Sequence, residues 1–178
     1  MYYRSVIRDT RYHGVQILKS PLDLWVYQEI LFAHPVDVVV ETGTFSGGSA
    51  LYLAHLMDQL GRGRILSIDI EGRADLPSHP RIEYLTGSST SPDIVEFVRK
   101  ETAGAEVLVV LYSDHAQSHV LDEMKCYSDL VKPGGYMIVK DGNVNGHPVF
   151  VDQEAIREFL TQRSDFVIDN RGKNSFSP

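Results

Sequence analysis

The stretch Val36-Asp37-Val38-Val39-Val40-Glu41-Thr42-Gly43-Thr44-Phe45-Ser46-Gly47-Gly48-Ser49-Ala50 decides the fold. It opens as a short β-branched run, passes through an acid into a glycine-punctuated turn, and leaves as a helix. Ala50, Leu53, Ala54, Met57 and Leu60 recur there at helical spacing. Strand, tight turn and helix in that order form the first half of a βαβ unit. The strand is apolar at nearly every position, as is Val107-Leu108-Val109-Val110-Leu111, and such strands are covered by helices on both faces.

Working outward, the pattern predicts strands at 36–41, 64–70, 81–86, 106–112 and 135–140, with a weak one at 166–169. Val120, Met124, Tyr127 and Val131 give a second helical stripe, and further helices are expected at 22–33, 91–101 and 152–163. Ser91-Pro92 opens one of these, Asp152 is a candidate N-cap, and Gly61 and Pro133-Gly134-Gly135 are stops. Residues 71–80, with Pro77 and Pro80, read as loop, so one crossover is abbreviated. The expected architecture is α/β: a doubly wound, mostly parallel Rossmann-like sheet in a single domain. Residues 1–20 are expected to form an N-terminal extension, 21–170 the domain, and 171–178 a frayed or truncated tail.

With 178 residues, 43% hydrophobic and 23% charged, the chain has material for one core. A net charge of −7 without a basic block argues against nucleic acid or anionic membrane as partner, leaving a small-molecule substrate. The absence of a long apolar run or of an apolar leader at Met1-Tyr2-Tyr3-Arg4 gives a soluble, cytoplasmic expectation. The single cysteine, Cys126, excludes an internal disulfide and a cysteine-based zinc cluster, and is expected to be a buried packing residue.

In doubly wound sheets ligands sit outside the carboxyl ends of the strands, and the first strand-to-helix turn is the usual cradle. Gly43 and Gly47 allow the backbone close to a ligand, and the following helix N-terminus offers N–H groups to a carboxylate. The Gly-x-x-x-Gly spacing is not a dinucleotide fingerprint, and Gly48-Ser49-Ala50 is not a P-loop. Glu41 would repel a phosphate but can accept from an ammonium or a ribose hydroxyl. Asp69, after the second strand, stands where a ribose diol is gripped.

Five stretches carry a family resemblance. They are Leu18-Lys19-Ser20-Pro21-Leu22-Asp23-Leu24-Trp25, the turn from Glu41 to Leu53, Leu85-Thr86-Gly87-Ser88-Ser89-Thr90, Ser113-Asp114-His115, and Asn143-Val144-Asn145-Gly146-His147-Pro148-Val149. Over roughly residues 10 to 168 they resemble the cephalosporin hydroxylase family, whose members look like S-adenosylmethionine-dependent O-methyltransferases of sugars and antibiotic precursors. More distantly, the chain is similar to catechol-type O-methyltransferases. The resemblance implies a class I methyltransferase fold with S-adenosylmethionine as cofactor. Glu41, Gly43 and Ser49 would then surround the methionine part, with Thr44, Phe45 and Gly47 completing the turn. Asp69 would hold the ribose and Ser88 and Ser89 would lie near the adenine. Asp114 and an acidic pair after the fifth strand would hold magnesium beside the methyl group.

The chain departs from that pattern at two places in the site, besides lacking a Gly-Pro-rich loop expected near residues 150–153 and having its last strand degraded into residues 174–178. Tyr112-Ser113-Asp114-His115 stands for Asp-Ser-Asp-His, and Lys140-Asp141 stands for Glu-Asp. Asp114 and Asp141 remain as metal candidates, but with Lys140 between them a three-acid magnesium site cannot form. His115, Lys140 and Tyr112 are therefore the candidate catalytic residues. His115 comes first as proton acceptor and His147 second. Trp25 belongs to the acceptor pocket or, more simply, to the core. The other histidines, His13, His34, His55, His79 and His119, show no metal-binding spacing. Three readings stay open: an O-methyltransferase of a small hydroxylated metabolite or sugar, a same-fold enzyme with altered chemistry, or a non-catalytic ligand-binding or assembly protein. The family also implies a homo-oligomer, with the apolar positions of residues 1–18 as one candidate contact.

Overall fold

The apolar runs pair with one another in parallel, and this sets the architecture. The computed structural model describes residues 9–112, 116–139 and 152–169. A short antiparallel hairpin, β1 (Arg11–Tyr12) and β2 (Val15–Gln16), leads into helix α1 (Pro21–Ala33). Then follow β3 (Val38–Thr42), α2 (Gly48–Leu60), β4 (Arg64–Asp69), β5 (Ile82–Thr86), α3 (Pro92–Glu101), β6 (Val107–Leu111), α4 (Gln117–Tyr127), a 3-10 turn (Ser128–Leu130), β7 (Met137–Val139) and α5 (Asp152–Gln162). The main sheet runs β5-β4-β3-β6-β7, parallel at each pairing. The α/β, doubly wound expectation holds.

Every residue of β3 and β6 is buried, and alternate side chains serve opposite layers. Val39, Leu108 and Val110 pack with Tyr27 and Leu31 of α1 and with Leu53, Ala54 and Met57 of α2. Val38, Val40, Val107, Val109 and Leu111 pack with Val98 of α3, Met124 and Tyr127 of α4, and Phe159 of α5. Each such aliphatic side chain contributes about 1.5–3 kcal/mol relative to exposure. Strand order reverses between β3 and β6. Their carboxyl ends therefore frame the crevice of a doubly wound sheet.

Local signals set the helix boundaries. Ser20 accepts from the Leu22 N–H at 3.3 Å, with Pro21 in the first turn. Gly47 and Gly61, both left-handed at φ 76° and 71°, bracket α2. Residues 71–80 carry no helix, as expected. Helix α5 opens at Asp152 itself, one position earlier than a cap at Asp152 would allow.

Three expectations are corrected. Residues 166–169 form no strand. Phe166 instead turns back onto Phe159, ring centroids 5.4 Å apart, while Val167 and Ile168 face solvent. Trp25 belongs neither to the core nor to a pocket: it is 64% exposed and donates to Glu29 Oε1 at 3.0 Å. The reason is geometric, because α1 buries Tyr27, and a residue two positions away sits about 200° around the helix. Cys126 is only half-buried, packed against the rim of the core, where burial pushes its thiol up from its ordinary value.

The hairpin was not expected from the sequence. His13 and Gly14 turn it with positive φ, and it docks on α2. The Tyr12 hydroxyl meets His55 Nδ1 at 3.0 Å, and the His55 ring lies 5.2 Å from that of His13 and 5.3 Å from that of His79. His79 in turn meets Asp58 at 3.0 Å. Among the described residues no group of His, Cys, Asp or Glu could hold a metal ion, and no helix is long and apolar enough to cross a membrane.

Gly48 lets the hairpin approach so closely. A Cβ there would overlap the Gln16 carbonyl oxygen and come within 2.9 Å of Ile17 Cβ. Helix propensity alone would make Gly48→Ala stabilising by about 1 kcal/mol. The clash reverses the sign, to a loss of about 1–3 kcal/mol. Thermal melts should therefore fall for Gly48→Ala; a rise would show that the hairpin is not seated against α2.

Candidate functional site

At the carboxyl end of β3 the chain turns through Gly43 (φ 82°), Phe45 (φ 50°) and Gly47 (φ 76°) into α2. Phe45, a non-glycine residue in the left-handed region, costs of order 1 kcal/mol or more, and such strain is held only where the surroundings fix it. Asp69 fixes it: Oδ2 accepts from the Phe45 N–H at 2.9 Å and Oδ1 from the Glu71 N–H at 3.0 Å. A carboxylate has about four lone-pair sites, so Asp69 can clamp the turn and still accept from hydroxyls. Gly47 is packed behind, where a Cβ would lie 2.7 Å from Pro77 Cδ and 3.0 Å from the Tyr84 hydroxyl. Tyr84 donates to the Pro77 carbonyl at 2.9 Å.

Glu41 is completely buried in the central strand. Its Oε2 accepts from the Ser67 hydroxyl at 2.9 Å, and Ser67 lies 2.8 Å from the Thr44 hydroxyl. With Glu41 ionised the order is fixed: Thr44 donates to Ser67 and Ser67 to the carboxylate. Oε1 is buried without a hydrogen-bond partner. Burial pushes the Glu41 carboxyl up from its ordinary value, while the Lys19 ammonium and the Ser49 and Ser67 hydroxyls pull it back and Asp69 opposes them. A buried carboxylate oxygen beside a turn that lets a ligand's backbone-distance approach fits an ammonium group.

Lys19, 1% exposed, places its Nζ 3.7 Å from the centroid of the Tyr112 ring and 6.0 Å from that of Tyr27. The Tyr112 N–H donates to the Thr42 carbonyl and hydroxyl, so this ring stands at the β3–β6 crevice. Ser49 is buried in the first turn of α2. Ser88 Oγ pairs with Thr90 Oγ1 at 3.2 Å, whereas Ser89 is turned inward, donating to Glu123 and receiving the Tyr127 hydroxyl on its carbonyl. A cleft of about 450 Å³ opens beside the turn, between residues 72–79 and Tyr84, with Arg73 over the Phe45 ring at 5.5 Å.

The structure thus brings Glu41, Gly43, Thr44, Phe45, Gly47, Ser49, Asp69 and Tyr112 to one end of the sheet. Asp114, His115, Lys140, Asp141 and His147 lie outside the described residues. Sequence reading missed Lys19 and Ser67. Ser67 had a signal, being the one polar residue inside Ile65-Leu66-Ser67-Ile68. Lys19 had none beyond its place in a motif, since its partners lie far along the chain.

Comparison with known proteins agrees with this fold. Residues 4–177 match the family Rhamnosyl O-methyltransferase/CmcI. A rhamnosyl O-methyltransferase of Mycobacterium bovis (strain BCG / Pasteur 1173P2) is 39% identical over 155 residues, covering 83% of this chain and 63% of the relative; the chain thus spans about 63% of that protein's length. An apo structure of CmcI superposes with a TM-score of 0.77 at 22% identity, over 96% of this chain and 72% of that one. A structure of CmcI titled with Mg and SAM gives 0.72 at 19% identity, over 96% and 73%. At those identities the likeness to solved structures speaks for the fold. The cephalosporin hydroxylase resemblance was to the same group under an older label. With nearly its whole length matched, this chain belongs to the Rhamnosyl O-methyltransferase/CmcI family.

Proposed function

We propose that the chain binds S-adenosylmethionine at the β3–α2 turn and methylates a hydroxyl of a small sugar-bearing acceptor, as an O-methyltransferase. The observation that carries the reading is the buried Oε1 of Glu41, without a hydrogen-bond partner, in the strand that leads into a turn built on left-handed glycines. Family membership and the name of the mycobacterial relative support the sugar acceptor. When bound, the cofactor's sulfonium supplies an activated methyl group. The chain's own residues do the rest: Glu41 receives the ammonium, Asp69 the ribose hydroxyls, and Gly43 and Gly47 let the backbone lie close. Ser88 lies on the adenine side. His115 is the proposed acceptor of the sugar hydroxyl's proton, with Asp114 beside it in sequence.

A second reading has its own observation. Lys140-Asp141 places an ammonium where the family pattern has an acid, which removes one of three carboxylates and supplies a positive charge in exchange. On this reading the chain works without magnesium, Lys140 helping to hold the acceptor oxygen, or it retains cofactor binding after losing transfer. Self-association belongs to the same proposal: of the contact expected at residues 1–18, residues 1–8 lie outside the described residues and Ile17 is buried in the core, whereas Leu22, Trp25, Val26 and Phe32 leave an apolar stripe exposed on α1.

Three measurements test these readings. S-adenosylhomocysteine at about 100 times its dissociation constant should stabilise the chain by about 2.7 kcal/mol, a melting rise of roughly 5–11 °C. Asp69→Ala should abolish most of that rise, and no rise in the unmodified protein at millimolar ligand would refute the site. Methyl transfer should be indifferent to chelator, and Lys140→Glu should create magnesium dependence; loss of transfer on chelation of the unmodified protein rejects the metal-free reading. Light scattering at micromolar concentration should give a multiple of the 20.0 kDa chain mass, and a monomer mass would dispose of self-association.

A further inference from the structure

A serine buried inside an apolar strand needs a reason. Ser67 interrupts Ile65-Leu66-Ser67-Ile68 in β4 and has no exposure, and a hydroxyl there is destabilising unless it is hydrogen-bonded. It has two partners. Its Oγ donates to Glu41 Oε2 at 2.9 Å and stands 2.8 Å from Thr44 Oγ1. The register accounts for the first contact, since Glu41 and Ser67 are direct partners in the parallel β3–β4 pairing. Thr44, also buried, reaches the same hydroxyl from the turn.

The two oxygens of Glu41 are thereby made unequal. Oε2 is taken by Ser67, while Oε1 is buried without a hydrogen-bond partner. The last torsion of a glutamate side chain is broad and roughly two-fold, so holding one oxygen fixes the direction of the other. Thr44 strengthens the hold. The single Ser67 proton goes to Glu41 and a Ser67 lone pair takes the Thr44 proton, which leaves the serine hydroxyl no freedom to turn away. Asp69, two residues beyond Ser67 and so on the same face of β4, accepts from the Phe45 N–H next to Thr44. The strand thus grips the turn at two successive residues, once through a hydroxyl and once through a carboxylate.

We propose that Ser67 is a positioning residue: backed by Thr44, it holds Oε2 of Glu41 so that Oε1 is presented to the ammonium of the cofactor's amino-acid end. The Ser67 hydroxyl, enclosed by Glu41 and Thr44, does not itself touch the ligand. The inference rests on reading this turn as the cofactor site, and it assigns recognition of that ammonium to a three-residue chain in place of Glu41 alone.

Calorimetric titration with three ligands tests it. S-adenosylhomocysteine carries the ammonium; its deaminated analogue keeps the carboxylate and lacks the ammonium; methylthioadenosine keeps the nucleoside and lacks the amino acid altogether. Ser67→Ala should weaken S-adenosylhomocysteine about tenfold, the scale of one hydrogen bond to a charged group, and leave the other two ligands within about twofold. An equal loss for S-adenosylhomocysteine and either comparison ligand, or no loss for any, overturns the inference while leaving the site reading intact. Failure of the unmodified protein to bind any of the three overturns both. If Ser67→Ala does not fold, Thr44→Val decides, because it removes the outer hydroxyl and keeps the branched shape. A loss confined to S-adenosylhomocysteine then supports the proposal, and a loss for all ligands or for none overturns it.

Discussion

One carboxylate in the middle of the sheet constrains everything near it. Glu41 stands in β3, the strand paired on both sides, and its side chain has no access to solvent. The Thr44–Ser67–Glu41 hydrogen-bond chain, the Ser49 hydroxyl and the Lys19 ammonium all answer its need for partners. Those answers in turn fix the turn through Gly43 and Gly47 and the place of the N-terminal segment. The arrangement has a stability cost with a definite sign. Because the folded-state value is raised, the folded chain binds the proton more tightly; stability is full below the unfolded value of 4.5 and is lost as pH rises through the folded value.

How much could be read from sequence follows the range of the interactions. The strands β3 and β6 were legible because full burial writes itself locally as unbroken runs of valine and leucine. The turn was legible because Gly43 and Gly47 need positive φ, a property of single residues. Lys19 was not, since what makes it matter is its meeting with the Tyr112 ring, far along the chain. The hairpin escaped because its strands are two residues long, too short for alternation to register, and its support comes from His55 and Gly48 on α2. Trp25 was misread because a helix covered on one side only leaves its far face to solvent, and sequence periodicity does not say which side is covered. The apolar pair Val167 and Ile168 looked like a strand by composition alone, yet among the described residues it pairs with no strand and faces solvent.

Ser89 shows how a motif residue can serve architecture instead of a ligand. Its hydroxyl goes to Glu123, itself 1% exposed, and its carbonyl to Tyr127, whose hydroxyl burial pushes well above its ordinary value. That junction ties the segment after β5 to α4. Substitutions at Ser89 would act first on the seating of α4.

The parallel order of the sheet bears also on how the chain comes to be made. The Glu106 N–H that docks on Asp37 at the start of the β3–β6 pairing comes from 69 residues later in the chain. At synthesis rates of 5–20 residues per second, β3 waits roughly 3 to 14 seconds for that partner to emerge. Its other neighbour, β4, arrives much sooner, with α2 between them to cover one face. The nascent chain therefore gathers first as a βαβ half bearing Glu41, Ser67 and the glycine turn, with Val38 and Val40 still bare on the opposite face. The half that carries the glycine turn can thus pair before the half that completes the core has been made, and the valine face bare in that interval is where a chaperone or a premature partner would find its hold.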